Sequence, residues 1–230
     1  MTDLQAILDA GGPWQQARII GDQLLIQGDC LEVMAVLPRV CACVTDPPYG
    51  INVGSMQMGA GKKLKAFSGF SWDQAAPDVS GLVDRPAIIW GGNYFGLPAS
   101  GCWLSWDKMQ QFSGADFELA WTNLDGPSKA FRMSRIEAYG NIDKQHPTQK
   151  PVALIEWCLG FLPDARTILD PFAGSFTTAV ACQRLGRQSI SIELDPDYYQ
   201  IGLKRVQEVV NNPPLFTPAP PKPKQEALEI

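Results

Sequence analysis

Thr167-Ile-Leu-Asp-Pro-Phe-Ala-Gly-Ser-Phe-Thr-Thr178 is the stretch on which the fold turns. A short apolar run ends in Asp170, a turn of small residues follows, and an Ala-rich segment continues as a helix to about Leu185. Strand, tight turn and helix in this order is the layout of a nucleotide-type cofactor loop. The next apolar run, Ser189 to Glu193, places a second carboxylate 23 residues after Asp170. At a strand end, Glu193 is positioned to accept hydrogen bonds from both hydroxyls of a ribose. The loop has few glycines and no lysine after them. It matches neither a phosphate-cradling P-loop nor the dinucleotide G-x-G-x-x-G pattern, so a cofactor with a ribose but no phosphate fits it better.

Outward from this loop the same alternation repeats. Ile19–Gln27 and Val40–Thr45 are apolar runs bounded by turn residues, with a helical stretch from Leu31 to Leu37 between them. Pro86–Trp90, Cys102–Trp106 and Phe117–Trp121 also read as strands. Pro151 suits a first helical position, and Val152, Ile155 and Leu159 then form an apolar stripe until Pro163. Asp195-Pro196 opens a last helix in the same way, with Asp195 as its N-cap. The expected fold is α/β, a mostly parallel sheet with helices on both faces.

Three stretches break the rhythm. Residues 52–81, which carry Lys62, Lys63 and Lys65, read as a long loop. Residues 124–146 read as a second locally basic loop, with Lys129, Arg132, Arg135 and Lys144. The Pro-rich tail, 211–230, is expected to be disordered or polyproline-like.

Composition narrows the chemistry. The 230 residues are 45% hydrophobic and 19% charged with a net charge of −5, which suits one or at most two globular domains, and a single domain over residues 1–210 is the expectation. No basic stretch leading into an apolar run opens the chain and no apolar segment is long enough to span a bilayer, so a cytoplasmic location with no membrane partner is expected. Six cysteines include no C-x-x-C pair, and His146 is the only histidine. Zinc sites are largely excluded and no metal is expected, while hydrolytic relays would all have to hang on one imidazole. The acidic balance argues mildly against a protein that coats nucleic acid, although net charge says nothing of a local groove.

Asp46-Pro47-Pro48-Tyr49 directly follows the Val40–Thr45 strand and therefore belongs on a strand-end loop. In an open parallel sheet ligands gather at the carboxyl ends of the strands. The paired prolines fix the backbone and leave the Pro47 carbonyl without a competing local donor. Asp46 adds a second acceptor and Tyr49 a flat ring. Two acceptors beside a ring suit an aromatic amine.

Taken together these motifs resemble the amino-methylating DNA methyltransferases, which use S-adenosylmethionine to methylate adenine N6 or cytosine N4. The resemblance rests on four ordered matches over roughly residues 20–210: Gly28-Asp-Cys-Leu-Glu-Val-Met34, Thr45-Asp-Pro-Pro-Tyr-Gly50, His146-Pro-Thr-Gln-Lys-Pro151 and Asp170–Thr178. The catalytic tetrapeptide precedes the cofactor loop, as in the circularly permuted beta group. The resemblance implies a class I methyltransferase (Rossmann-like) fold with a mostly parallel, seven-stranded sheet, a catalytic half at 19–121 and a cofactor half at 146–210. It implies that Asp46 and the Pro47 carbonyl accept from the target amino group, with Pro48 stiffening the turn and Tyr49 stacking on a base flipped out of double-stranded DNA. It implies cofactor contacts as well. Asp29 would meet the adenine edge, with Cys30 beside it among the cofactor-binding residues, Glu193 the ribose, Asp170 the methionine ammonium, and Thr148 and Lys150 the methionine carboxylate, with Pro171, Phe172, Ala173, Gly174 and Ser175 forming the loop.

One position departs from the pattern. The family usually has Phe-x-Gly-x-Gly, and this chain has Phe176 in place of the second glycine. The expectation is an ordinary φ there, with the ring packed beside the cofactor. Adenine is preferred over cytosine as the target, because the cytosine-N4 members more often carry Ser where this chain has Asp46. A non-catalytic DNA-binding protein on a decayed scaffold is the reading from another class. Phosphate contacts would come from the two basic stretches, Lys62, Lys63 and Lys65 and then Lys129, Arg132 and Arg135. With no room for a recognition domain between Trp121 and His146, target choice would rest on short loops or on a second copy of the chain in a homodimer.

Overall fold

A computed structural model describes residues 2–50, 76–109, 115–139 and 149–213. Their strands form one sheet in the order β1-β2-β9-β8-β3-β4-β6-β5-β7. In chain order these are β1 (Gln16–Ile20), β2 (Gln23–Gln27), β3 (Ala42–Thr45), β4 (Ala87–Trp90), β5 (Trp103–Asp107), β6 (Phe117–Thr122), β7 (Lys129–Arg132), β8 (Thr167–Asp170) and β9 (Gln188–Glu193). The helices are α1 (Leu4–Ala10), α2 (Cys30–Val36), α3 (Arg135–Tyr139), α4 (Val152–Leu159), α5 (Thr177–Arg184) and α6 (Pro196–Asn211). Five of the eight strand pairings are parallel, so the mostly parallel α/β sheet is as expected.

The sheet has nine strands where seven were expected, for two local reasons. Gly21, at φ 58°, breaks the Ile19–Gln27 run, so it folds back as the antiparallel β1–β2 hairpin instead of one strand. The basic stretch at 124–146 is not all loop. Lys129–Arg132 adds an edge strand parallel to β5, and Arg135–Tyr139 is a short helix.

Period-two alternation assigns the two faces. Ala42, Val44, Ile88, Trp90 and Ile168 pack with α4 and α5, whereas Cys43, Ala87, Ile89 and Leu169 pack with α1 and α2. Leu25 faces a third cluster formed with α5 and α6. Both faces of the inner strands are therefore covered, which explains their near-continuous apolar sequences. Among the described residues no helix is long and apolar enough to cross a membrane.

The strand directions matter most for function. β2, β3, β4, β5, β8 and β9 all end at one rim of the sheet, which gathers Asp29, Asp46, Asp107, Asp170 and Glu193 there. Only β6 among the inner strands runs the other way, and so it delivers its first residues, Phe117 and Glu118, to that same rim.

Candidate active site

The cofactor loop is built by hydrogen bonds to its own backbone. Asp170 closes β8 and is buried; its Oδ1 accepts from the Thr45 hydroxyl at 2.8 Å and from the Phe172 amide at 3.2 Å. Glu193, at the end of β9, accepts from the Gly174 amide at 2.7 Å and from the Asp195 amide at 2.8 Å, and the Ala173 amide donates to the Ile192 carbonyl. One carboxylate thus ties the turn between β8 and α5 to the turn before α6. Burial pushes Asp170 up to about 6, against hydrogen bonds from Thr178 and Thr45. Burial likewise pushes Glu193 up to about 7, against the two amides. Among the described residues no lysine or arginine lies within ion-pair distance of either.

Asp29 caps α2, its Oδ1 accepting from the Leu31 amide at 2.8 Å, and it remains partly exposed. Cys30 opens the same helix; burial, then Asp29, pushes its thiol up to about 11. Pro171 and Ala173 are buried, Phe172 and Gly174 partly so, and Ser175 lies in the wall of the cleft.

Phe176 corrects the expectation of an ordinary φ. It stands at φ 59°, ψ 39°, in the left-handed region, as the N-cap of α5. Its ring turns away from the loop into the α5–α6 cluster, fully buried, edge-on to Tyr199 with centroids 6.0 Å apart. The slot it fills exists because residue 202 is glycine, where a Cβ would lie 1.5 Å from Phe176 Cδ2. The left-handed backbone costs of order 1–3 kcal/mol, and burying a phenyl ring offsets a cost of that size. Arg205, one turn further along α6, donates to the Ser175 carbonyl, to its hydroxyl at 2.7 Å and to the Thr177 hydroxyl at 3.2 Å.

Across the same cleft lies the Asp46 loop. Tyr49 donates its hydroxyl to Asp46 Oδ1 at 2.5 Å, and Lys150 Nζ donates to Oδ2 at 2.6 Å. Lys150 also reaches the Tyr49 hydroxyl at 3.2 Å and pairs with Glu118 Oε2 at 3.0 Å, while Glu118 Oε1 pairs with Lys108 at 2.6 Å. Lys150 therefore spends its ammonium on the Asp46 loop, whereas the sequence resemblance placed it on a cofactor carboxylate. Burial opposes its charge, but Asp46 and Glu118 outweigh burial and hold it well above the ordinary lysine range. Burial raises Asp46, with Lys150 pulling the other way. Glu118, despite its burial, is held at about 2 by the two lysines. Among the described residues no donor reaches the Pro47 carbonyl, while Pro47 itself is buried and Pro48 half-buried.

The Tyr49 ring is already partly covered. Tyr94 stacks on it at 4.9 Å with 15° between planes, and Gly91 approaches so closely that a Cβ would lie 2.0 Å from the ring. A base stacking on Tyr49 must use its remaining surface or displace Tyr94, which is itself 47% exposed.

The basic residues separate. Arg132 ends β7 opposite Asp107, at the rim that carries Asp46, and Arg135 follows it; Lys129 sits at the other end of the strand, opposite Leu104. Lys62, Lys63, Lys65 and Thr148 lie outside the described residues, as does the tail from residue 214. Glu118, Lys108, Tyr94 and Arg205 escaped sequence reasoning. The one available signal was a charged residue inside the apolar Phe117–Thr122 run.

The strand order and the rim define a class I methyltransferase scaffold in which the acceptor loop precedes the cofactor loop. The family model described as DNA methylase, of the N6/N4 type, matches residues 89–204. The chain belongs to this DNA methylase family. YubD of Escherichia coli (strain K12), named as a methylase, is 28% identical over 207 residues, 80% of this chain and 90% of YubD. The DNA adenine methyltransferase YhdJ of the same strain is 37% identical over 81 residues, 35% of this chain and 28% of YhdJ. Among solved structures, the cytosine-N4-specific PvuII DNA methyltransferase superposes with a TM-score of 0.54 at 16% identity, covering 86% of this chain and 95% of that one.

Proposed function

We propose that the protein transfers a methyl group from S-adenosylmethionine to the N6 amino group of adenine in double-stranded DNA. The observation that carries this reading is the pairing of two unlike carboxylate settings in one cleft. Asp170 and Glu193 are desolvated carboxylates without a cationic partner among the described residues, and a ligand carrying an ammonium, a cationic sulfur and a ribose matches that need. Asp170 would hold the ammonium and Glu193 the ribose hydroxyls, with the Phe172–Ser175 turn beneath them and Asp29 beside the adenine. When bound, the cofactor supplies a methyl group activated by a cationic sulfur that leaves as a neutral thioether.

The chain supplies the rest by alignment. Asp46 and the Pro47 carbonyl accept from the target N–H groups and turn the nitrogen lone pair toward the cleft. As positive charge builds on that nitrogen, the Asp46 carboxylate stabilises it and takes the proton it sheds. No cysteine is placed for a covalent step; Cys43, Cys102, Cys158 and Cys182 are buried, and Cys41 is exposed on the loop before β3. Arg132 and Arg135, at the catalytic rim, are candidates for phosphate contacts. Asp46 itself and the partial match to an adenine methyltransferase support adenine over cytosine.

The test is to incubate unmethylated plasmid DNA with labelled S-adenosylmethionine and locate the modified bases by single-molecule sequencing. N6-methyladenine at a defined short sequence is expected. Label at cytosine N4 would reassign the target, and no label together with no saturable cofactor binding would overturn the reading.

A further inference from the structure

Lys108, Glu118, Lys150 and Asp46 form a chain of alternating charge in which every neighbouring pair lies within 3.0 Å. It runs from the end of β5, through the start of the antiparallel β6, to the catalytic loop. Lys150 is the pivot, with a side chain only 6% exposed, and it faces the carboxylates of Asp46 and Glu118 and the rings of Tyr49 and Trp90. A buried ammonium needs a counter-charge. With Asp46 as its sole partner, Lys150 would neutralise the carboxylate that must attract a nitrogen acquiring positive charge. Glu118 changes this, because it takes a share of Lys150, and Lys108 in turn balances Glu118 and leaves the four groups neutral.

Resting on the reading of Asp46 as the acceptor, we propose that Glu118 is a positioning residue for the transfer. By sharing the Lys150 ammonium with Asp46, it aims the Asp46 carboxylate at the cleft without letting Lys150 consume it. Glu118 does not touch the substrate in this scheme. Its effect passes through Lys150, whose hydrogen bonds to Asp46 Oδ2 and to the Tyr49 hydroxyl fix the carboxylate from both sides. Breaking a network that served stability alone would lower the melting point and leave the rate of the folded protein untouched.

The experiment uses the full chain, tritiated S-adenosylmethionine and unmethylated plasmid DNA. Glu118→Gln, which keeps the shape and removes the charge, should lower kcat roughly 10- to 100-fold, the scale of a misaligned reacting group. The KM for the cofactor, and its Kd by calorimetry, should stay within about threefold. Glu118→Asp should recover part of kcat, and serves as the working variant where the glutamine form does not fold. In the unliganded protein, Asp46→Asn and Glu118→Gln should be non-additive in chemical denaturation, because both anchor one ammonium. A kcat within twofold of wild type, a loss confined to cofactor affinity, or strict additivity of the two substitutions would overturn the proposal. A wild-type protein that methylates nothing would overturn the function itself, and the denaturation cycle, which needs no substrate, would still decide whether Asp46 and Glu118 share Lys150.

Discussion

The two halves of the cleft hold their carboxylates in opposite ways. In the catalytic half, Asp46 and Glu118 are wrapped by Lys150 and Lys108, so the charges cancel within the protein. In the cofactor half, Asp170 and Glu193 receive, among the described residues, only hydroxyl and amide donors and are pushed up to about 6 and about 7. A half that is electrically complete is built to hold a geometry. A half whose carboxylates meet no cationic partner among the described residues is suited to receive one. The difference supports the proposed roles on grounds other than motifs, because it fits a neutral amine entering one side and a cationic cofactor the other.

The comparison breaks most visibly at Asp46. Asp46→Ala should cut transfer by at least ~100-fold, the scale of losing a positioned proton acceptor, while cofactor Kd by calorimetry moves little. Asp170→Asn should do the reverse, weakening cofactor binding roughly 10- to 100-fold, as expected for the loss of a charge-assisted hydrogen bond, with a smaller change in rate at saturating cofactor. Were both variants to change the same parameter, the division of labour would fail. Gly202→Ala tests how the cofactor half is supported, because the added Cβ collides with Phe176 beneath the loop. It should cost about 1–3 kcal/mol in urea denaturation and weaken cofactor binding, with Asp46 chemistry spared once cofactor is saturating.

The smallest effect expected is with pH. Asp170 and Glu193 titrate in the folded protein near 6 and 7, above their unfolded values near 4. Between pH ~4 and ~7 the folded chain therefore binds more protons than the unfolded one, so the unliganded protein should melt at a lower temperature as pH rises through that window. A cationic cofactor needs the ionised carboxylates, so its affinity should rise over the same range. Glu118, held at about 2, works in the opposite sense and only at the acid end of that window, where an unfolded glutamate is still partly protonated. Opposite slopes for melting temperature without ligand and for affinity would sharpen the contrast; parallel slopes would remove it.

The cofactor half was the more legible in sequence. Asp170, the small-residue turn and Glu193 are local to strand ends, and apolar periodicity finds strand ends well. The inner parallel strands followed for the same reason. The catalytic cluster was only half legible, because Asp46 and Tyr49 share one tetrapeptide whereas Lys108, Glu118 and Lys150 arrive from three other segments. Glu118 was the hardest to foresee. It lies at the start of a strand, and only the reversed direction of β6 carries a strand's beginning to the rim where the others end. Periodicity reports which residues are buried and not which way a strand runs in its sheet. The hairpin at Gly21 and the edge strand β7 were missed for a simpler reason: each is a short departure inside a stretch whose overall composition pointed elsewhere.

Phe176 and Gly202 carry one more consequence, for how this chain can drift. The Phe176 ring and the notch left by Gly202 on the helix below it fit as plug and socket. Neither position can change alone without either a void or a collision. Substitutions at 176 and 202 should therefore be inherited as a pair, and a variant library randomised at both sites should return complementary combinations and few single replacements.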